Sequence, residues 1–160
     1  MKKLLFVALT LLACSAFAQT PQENGIIYKE HPYITIINKS TDMFLKQDWV
    51  GMASIYADSV KFYDPSSPKP YNLETAKKGW AAIYDGWEQI TITKVGYPDG
   101  LKYAKDPFTV QSWWKITSVN KKTKKTATFY QVLFDEFNKD GKISVESAFY
   151  DQTPLLEASK

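Results

Sequence analysis

"FTVQSWWKITSVNKKTKKTATFYQVLFDEFNKDGKISVESAFYD", residues 108–151, is the segment that decides the fold of this chain. It contains three runs rich in β-branched and aromatic residues, and the turn-forming pieces NKKTKK and NKDG separate them. Successive strands joined by short turns pair antiparallel, so the segment predicts an antiparallel meander of long strands. A further strand, QITITKVG at 89–96, precedes the meander and ends before the turn-rich piece YPDG.

Both faces of the predicted sheet carry large apolar side chains. In the run FYQVLFDEF, Phe129, Leu133 and Phe137 share one face, because side chains alternate along a strand. Val132 and Phe134 share the other face. A face in contact with water would be polar, so both faces are predicted to be covered. A helix layer accounts for one face, and the other is expected to line a ligand cavity or a subunit interface.

Helices are predicted upstream of the strands. Residues 33–58 have the apolar spacing of helices that are interrupted near Gln47 and Asp48. A third helix is predicted after Asn72, a residue that suits an N-cap. Its apolar side chains form one stripe, which consists of Ala76, Trp80, Ile83 and Trp87. Helices first and strands second predict an α+β domain in which helices cover one face of a curved sheet.

The chain begins with the features of an export signal. Two lysines precede a short apolar run, and Ala16-Phe17-Ala18 forms a small-x-small cleavage site before Gln19. The run is too short to span a bilayer, which takes about 20 residues. We therefore expect a periplasmic or secreted protein. The predicted parts are a signal peptide at 1–18, a polar lead at 19–25, a single domain at 26–156 and a tail at 157–160.

A motif for an alternative location, that of a lipoprotein, lies inside the same segment. The run LLAC, residues 11–14, resembles the lipobox of bacterial lipoproteins, in which the cysteine becomes the lipidated first residue. The alternative prediction is thus a lipoprotein anchored through Cys14. In either case the domain contains no thiol, because Cys14 is the only cysteine of the sequence. Intramolecular disulfides and thiolate chemistry are therefore excluded.

Charge and residue usage argue against binding of nucleic acid. The sequence has 20 basic and 17 acidic residues, and without Lys2 and Lys3 the balance is 18 to 17, a net charge of +1. Every basic residue is a lysine, so the bidentate grip of arginine on phosphate or guanine is missing. The dense lysine cluster at 120–125 is predicted to be the tip of a hairpin. Nucleic acid is therefore not an expected partner.

No metal site and no cofactor are predicted. His31 is the only histidine, which excludes sites built from several histidines, and it is expected to be an exposed residue before Pro32. The run EFNKDGKISVES imitates a calcium loop, but its last position is Ser147 where a bidentate glutamate is needed. We interpret this run as a hairpin in which Asp140 and Gly141 supply the positive φ angles.

Asp64 ends an apolar strand pattern and precedes a proline. In SVKFYDP, the side chains of Val60, Phe62 and Asp64 share one face of the predicted strand. Lys61 and Tyr63 share the other, wetter face. A carboxylate on the covered side is costly unless it is paired, hydrogen-bonded or functional, and desolvation would raise its pKa toward that of a general base. The alternative is a turn, in which Asp64 accepts hydrogen bonds from nearby backbone amides.

The order of three motifs resembles a known family. These motifs are FLKQDWVGMASIYADSVKFYDP (44–65), GWAAIYDGW (79–87) and LFDEFNKDGKISVESAFYD (133–151). Their order resembles the nuclear transport factor 2-like superfamily, in particular its SnoaL-like and ketosteroid isomerase-like members, over nearly all of residues 33–152. The resemblance implies a cone-shaped, curved antiparallel sheet wrapped around three N-terminal helices, with an internal pocket. It also implies a homodimer that forms through the sheet.

The resemblance gives Asp64 a second interpretation. In ketosteroid isomerase, the aspartate of a motif similar to Tyr63-Asp64-Pro65 is the general base, which implies a catalytic role for Asp64 here. The isomerase also needs two oxyanion donors, a tyrosine and a protonated aspartate. The matching positions of this chain hold Ser40 and Tyr130, which do not reproduce that pair. Steroid isomerisation is therefore not implied.

Three functions remain as alternatives. The first is binding of a small, partly apolar molecule in the pocket, with Asp64 at its polar end. The second is general acid/base catalysis of an isomerase, cyclase or dehydratase type, with Asp64 as the base and Tyr130 as a hydrogen-bond donor. The third is a protein-interaction module that uses the sheet face. The aromatic side chains expected to wall the pocket are Phe62, Trp80, Tyr84, Trp114 and Tyr130.

Overall fold

A computed structural model describes residues 23–160 of the protein. The predicted signal peptide, its cleavage site and Cys14 lie outside the described residues. Within these residues the chain forms seven strands and four helices. In chain order they are β1 (Gly25–Tyr28), α1 (Pro32–Leu45), α2 (Trp49–Ser54), β2 (Tyr56–Tyr63), α3 (Leu73–Gly86), β3 (Trp87–Lys94), β4 (Asp99–Tyr103), β5 (Phe108–Asn120), β6 (Thr126–Phe137), β7 (Ile143–Tyr150) and α4 (Thr153–Ala158).

The strands form one curved sheet that does not close into a barrel. Its order is β1-β4-β5-β6-β7-β2, and β3 joins by pairing with β5. β5 and β6 pair antiparallel from Phe108 opposite Phe137 to Val119 opposite Thr126. β4 and β3 share the other edge of β5, with β4 beside its first residues and β3 beside its last ones. These findings confirm the predicted meander and the α+β fold class, and they add a parallel pairing of β2 with β7.

The predicted interruption of the first helical segment is confirmed. α1 ends at Leu45, and Gln47 has a φ of 56°, a left-handed conformation that ends a helix. Asp48 then caps α2, because its side chain accepts a hydrogen bond from the Gly51 amide at 2.8 Å. Asp48, the residue predicted at the break, is therefore the N-cap of the second helix.

The end of this helical segment differs from the prediction. The sequence pattern predicts helix up to residue 58, whereas α2 ends at Ser54 and β2 begins at Tyr56. The reason is a tertiary contact. The Ile55 carbonyl accepts a hydrogen bond from the Ile143 amide of β7 at 2.9 Å, which draws the chain into the sheet.

α3 carries Ala76 and Trp80 of its predicted stripe into the core, whereas Ile83 is exposed and Trp87 begins β3, which corrects the prediction for these two. As predicted, Asn72 caps its start and accepts a hydrogen bond from the Thr75 amide at 3.0 Å. Trp80 lies near three other aromatic rings, those of Trp49, Tyr56 and Phe62. The core lies between the helices and the concave face of the sheet, and its most deeply buried apolar residues are Ile37, Val60, Val110 and Ile143.

Three short elements, β1, β4 and α4, are not predicted by the sequence. β1 and β4 pair antiparallel with each other, and each is too short to show a repeating pattern. α4 continues past the predicted domain boundary at residue 156, and Ala158 is buried. The Thr123 hydroxyl of the β5–β6 turn donates to the Ala158 carbonyl at 2.5 Å, so the end of the described chain is tied to the sheet.

His31 has a structural position that the sequence did not reveal. It is half-buried rather than exposed, which corrects the prediction. Its Nδ1 accepts a hydrogen bond from the Tyr33 amide at 3.2 Å and so caps α1. Its ring stacks on that of Phe108 with centroids 4.1 Å apart. The packing of the first helix against the start of β5 therefore covers this residue.

The turn between β6 and β7 occurs where the sequence predicts it. Gly141 has a φ of 73°, but Asp140 does not have a positive φ, so the prediction is correct for the glycine only. The turn is held by Asn138 instead. Its side-chain oxygen accepts hydrogen bonds from the amides of Asp140 and Lys142, each at 3.0 Å.

Residues 23–160 lack two kinds of feature. No helix there combines the length and the apolar character that crossing a membrane requires. No group of three or more histidine, cysteine, aspartate or glutamate side chains in the same residues is arranged to hold a metal ion.

The substitution Asn72→Ala tests the start of α3, the helix that carries Trp80. Alanine cannot accept the hydrogen bond of the Thr75 amide, so the free energy of unfolding should fall by about 1 kcal/mol. Urea denaturation measures this change. Asn72→Asp is the matched control, because it keeps an acceptor and adds a favourable charge at a helix N-terminus. An equal loss in both variants would contradict the cap.

Candidate functional site

A cavity of about 550 Å³ lies between the helices and the concave face of the sheet. Trp80 of α3 and Trp114 of β5 line it from opposite layers. Further apolar lining comes from Phe44, Met52, Ile92, Phe129 and Leu133. Polar side chains gather at one end, where the lining residues are Tyr56, Asp64, Tyr71 and Glu146. The volume and the mixed lining are typical of small-molecule sites.

Asp64 lines the cavity and also makes a turn. It directly follows β2, on the inward side of the strand that Phe62 also faces. Its Oδ1 accepts hydrogen bonds from the Ser66 amide at 2.6 Å and from the Ser66 hydroxyl. Its Oδ2 accepts one from the Tyr71 hydroxyl. The two alternatives for Asp64 are therefore compatible, because one oxygen closes the turn while the carboxylate remains part of the cavity wall.

A second pair of carboxyls lies at the same end of the cavity. Asp135 of β6 and Glu146 of β7 are directly opposite each other on the concave face. Tyr56 donates a hydrogen bond to Glu146 Oε2 at 2.6 Å. Asp135 lies behind Glu146, is only 1% exposed, and finds no donor for either oxygen among the described residues. A proton held between the two carboxyls is what would satisfy Asp135.

Burial raises the pKa of both carboxyls. For Asp135 the loss of hydration is the largest cause, and the nearby charge of Glu146 adds to it. Loss of hydration also raises the pKa of Glu146, although hydrogen bonds from Tyr56 and Asp135 oppose this effect. Two carboxyls in contact cannot both ionise without a large cost, so they titrate as one unit. The pair therefore retains a proton at pH values where free carboxyls have lost theirs.

The two tyrosines at the polar end act as donors. Loss of hydration and the hydrogen bond to Asp64 raise the pKa of Tyr71 above its usual range. Loss of hydration and the charge of Glu146 do the same for the pKa of Tyr56. Both hydroxyls therefore stay protonated at neutral pH. The polar end consists of two carboxylate–tyrosine pairs, Asp64 with Tyr71 and Glu146 with Tyr56.

The predicted wall residues occupy three different places. Trp80 and Trp114 line the cavity together with Asp64. Phe62 is not among the lining residues and lies in the core behind the wall. Its ring stacks on that of Tyr71 with centroids 5.5 Å apart. Phe62 is therefore corrected from a ligand contact to a support for the polar end.

Tyr84 and Tyr130 lie outside this cavity, which corrects both predictions. The Tyr84 hydroxyl donates to the Phe44 carbonyl at 2.9 Å, and the ring lines a separate, more open cavity. Tyr130 is 62% exposed on the outer face of the sheet. In the register of β5 and β6, Gln131 is opposite the inward-facing Trp114. Alternation therefore turns Tyr130 outward, where it cannot donate a hydrogen bond into the cavity.

The sequence contains one signal for the carboxyl pair. Phe129, Leu133 and Phe137 were assigned to one apolar face of β6, and Asp135 occupies the same alternating set. An acid within an inward apolar set is costly and is therefore a candidate functional residue. Glu146 follows the same rule on β7, where its inward neighbour is Ala148. What the sequence did not contain is the register that brings the two acids together.

Comparisons with known proteins define the class of fold. No family model matches the sequence, and no curated protein matches it either. Solved structures do match. An NTF2-like protein from Burkholderia thailandensis is 17% identical with a TM-score of 0.64, over 82% of this chain and 99% of that one. IdmH from Streptomyces antibioticus, a proposed polyketide cyclase, is 13% identical with a TM-score of 0.65, over 81% and 99%.

A third structure was determined with a bound ligand. It is a protein from Catenulispora acidiphila with a ketosteroid isomerase-like fold, in complex with trimethylamine. It is 12% identical with a TM-score of 0.62, over 78% of this chain and 91% of that one. The chain described here therefore has the nuclear transport factor 2-like fold, as the resemblance in its sequence implies. Identities this low define the fold alone.

The substitution Asp135→Asn tests whether the carboxyl pair holds a proton. The folded pair keeps a proton that the unfolded chain has released, so wild-type stability should fall as the pH rises from about 4 through the raised pKa of the pair. The asparagine amide cannot ionise and can donate to Glu146. The variant should therefore lose most of this fall and exceed the wild type by about 1–2 kcal/mol at pH 8.

Urea denaturation at pH 5 and pH 8 measures this difference. The matched control is Glu136→Gln, which removes an acid from the outer face of the same strand. This control should keep the pH dependence of the wild type. A variant at Asp135 that loses stability with rising pH as steeply as the wild type would refute the shared proton.

Proposed function

We propose that the protein binds a small, partly apolar molecule in the cavity between the helices and the concave sheet face. The observation that carries this proposal is the lining, in which aromatic rings form the walls and carboxyls gather at one end. Apolar walls with a few polar groups hold and orient small molecules. Trimethylamine bound to one protein of this fold, and the proposed cyclase activity of another, support a ligand-binding or cyclase-type role.

Binding of the neutral fluorescent probe N-phenyl-1-naphthylamine tests the proposal. The substitution Trp80→Leu keeps most of the apolar volume but removes an aromatic face, so the dissociation constant should rise about five- to tenfold. A fluorescence titration measures it. The matched control is Tyr97→Leu, since Tyr97 is an exposed ring outside the cavity lining. Equal affinity of the Trp80 variant and the wild type would mean that the probe does not occupy the cavity.

A second candidate function is general acid/base catalysis. The observation that favours it is the proximity of an Asp64 carboxylate to groups that carry protons, namely Tyr71 and the pair of Asp135 and Glu146. A base and a proton donor on one cavity are what proton abstraction and return require. In this proposal Asp64 takes a proton from an activated carbon of the ligand. The proton shared by Asp135 and Glu146 stabilises the charge that develops.

Deuterium exchange at the activated carbon of 2-tetralone, a small ketone, tests the role of Asp64. The wild type should accelerate the exchange from D₂O, and Asp64→Asn should slow it by about 100-fold or more, because the amide is not a base. Proton NMR follows the loss of signal. Asp58→Asn on the same strand is the control, since Asp58 is exposed. No acceleration by the wild type would refute the base, while binding of the naphthylamine probe would be unaffected.

We further propose that the protein is exported and that it forms a homodimer through the outer face of the sheet. Export rests on the signal pattern before Gln19, and mass spectrometry of the mature chain distinguishes cleavage there from lipidation at Cys14.

The dimer is supported by the apolar side chains that the outer face exposes, with Phe149 at 59% and Tyr130 at 62%. Sedimentation of Phe149→Lys against wild type tests it, and a wild type that is already monomeric would refute it.

A further inference from the structure

The charged lining of the cavity has one sign only. Asp64 and Glu146 are the charged residues among its lining, and no lysine or histidine of residues 23–160 contributes to it. This contrasts with the whole sequence, which has more basic than acidic residues. An anionic ligand would be repelled from such a cavity, and a positive charge would be attracted.

Three hydroxyl donors at the polar end are already in use. The Tyr56 hydroxyl donates to Glu146, the Tyr71 hydroxyl donates to Asp64, and the Ser66 hydroxyl also donates to Asp64. What these groups leave free toward the cavity are oxygen lone pairs. A ligand that contacts these three groups therefore meets acceptors, which suit N–H donors or a positive charge. A carbonyl or a carboxylate would find fewer partners there.

The second acid, Asp135, lies in an otherwise apolar part of the core. Asp135 is buried, and both of its oxygens lack a donor among the described residues. The inward neighbours on the same strand, Leu133 and Phe137, are apolar, so the core does not require an acid at this position. Two adjacent buried carboxyls cost folding free energy that a nearby cation would offset. Asp135 lies behind Glu146 and donates the proton of the pair to it, so Glu146 keeps the negative charge at the cavity wall.

The walls are also suited to a cation. Trp80, Trp114 and Phe129 line the cavity with aromatic rings, whose faces attract positive charge. The Trp114 Nε1 donates to Ser112 Oγ at 2.9 Å within the buried layer. That indole therefore offers its ring, and not its N–H, to a ligand.

We propose that the ligand of this cavity is a small organic cation, an amine or quaternary ammonium compound, with its positive charge held between Asp64 and Glu146. The apolar substituents of the cation contact Trp80, Trp114 and the rings beside them. Glu146 is in this view a ligand-binding residue, and Asp135 is a positioning residue that acts through it. The inference rests on the proposed function, because it names the chemical class of the small molecule that the same cavity takes.

The test compares choline with its neutral isostere 3,3-dimethylbutan-1-ol, which has the same shape without the charge. NMR titration of the indole N–H signals follows binding of both compounds to the wild type. Choline should bind at least about tenfold more tightly, because only the cation gains from the carboxylates and the ring faces. Glu146→Gln should weaken choline by about tenfold or more and change the affinity of the isostere less than about twofold.

Two matched variants separate binding from folding. In Glu146→Gln the side-chain amide oxygen can still accept the Tyr56 hydrogen bond, so the fold should survive, and an unchanged affinity for the isostere verifies it. Glu136→Gln removes an acid from the outer face and should leave both affinities as in the wild type. Equal effects of the two glutamate substitutions on choline would assign the attraction to overall charge, which contradicts a site at Glu146.

The outcomes distinguish this inference from the proposed function. If the isostere binds as tightly as choline or more tightly, the cation is refuted and the small-molecule cavity stands. If neither compound binds but the naphthylamine probe does, the cation is again refuted while the cavity stands. If none of the three compounds binds, both proposals fail.

Discussion

The antiparallel ladder between β5 and β6 determines which side chains face the helices, since each residue on one strand is held opposite a defined residue on the other. Trp114 is opposite Gln131, and both face the cavity. β7 continues the alternation and brings Glu146 opposite Asp135 on the same side. A slip of one residue would turn both acids toward solvent and Tyr130 toward the helices. The acidic end of the cavity is therefore a consequence of strand register.

The same register places two acids where burial opposes their ionisation. Two carboxyls meet where an apolar sheet face packs on helices, and burial there favours their protonated forms. Tyr56 relieves part of this cost through its hydrogen bond to Glu146, and nothing comparable among the described residues serves Asp135. Asp64 differs, because the turn with Ser66 and the Tyr71 hydroxyl satisfy its oxygens. The polar end thus joins a fully hydrogen-bonded carboxylate to an incompletely satisfied pair, which is the chemistry that a charged or proton-exchanging ligand would use.

Local signals predicted the parts of the fold that depend on neighbouring residues in the chain. The helix break at Asp48, the cap at Asn72 and the turn glycine at Gly141 each depend on residues close by in the chain, and each was predicted from the sequence. The exposure of His31 and the end of α2 were predicted wrongly because distant strands decide them. Packing on Phe108 covers the histidine, and a hydrogen bond from β7 ends the helix.

For the candidate site, the sequence by itself determined that Asp64 follows the inward face of a strand and that the chain has aromatic residues enough to wall a cavity. Period-two alternation is a local property, so one strand suffices to assign a face. Only the tertiary structure decided which aromatics reach the cavity and that Glu146 meets Asp135. The physical reason is that register between strands distant in sequence depends on the packing of the whole sheet against the helices. No single segment contains that information.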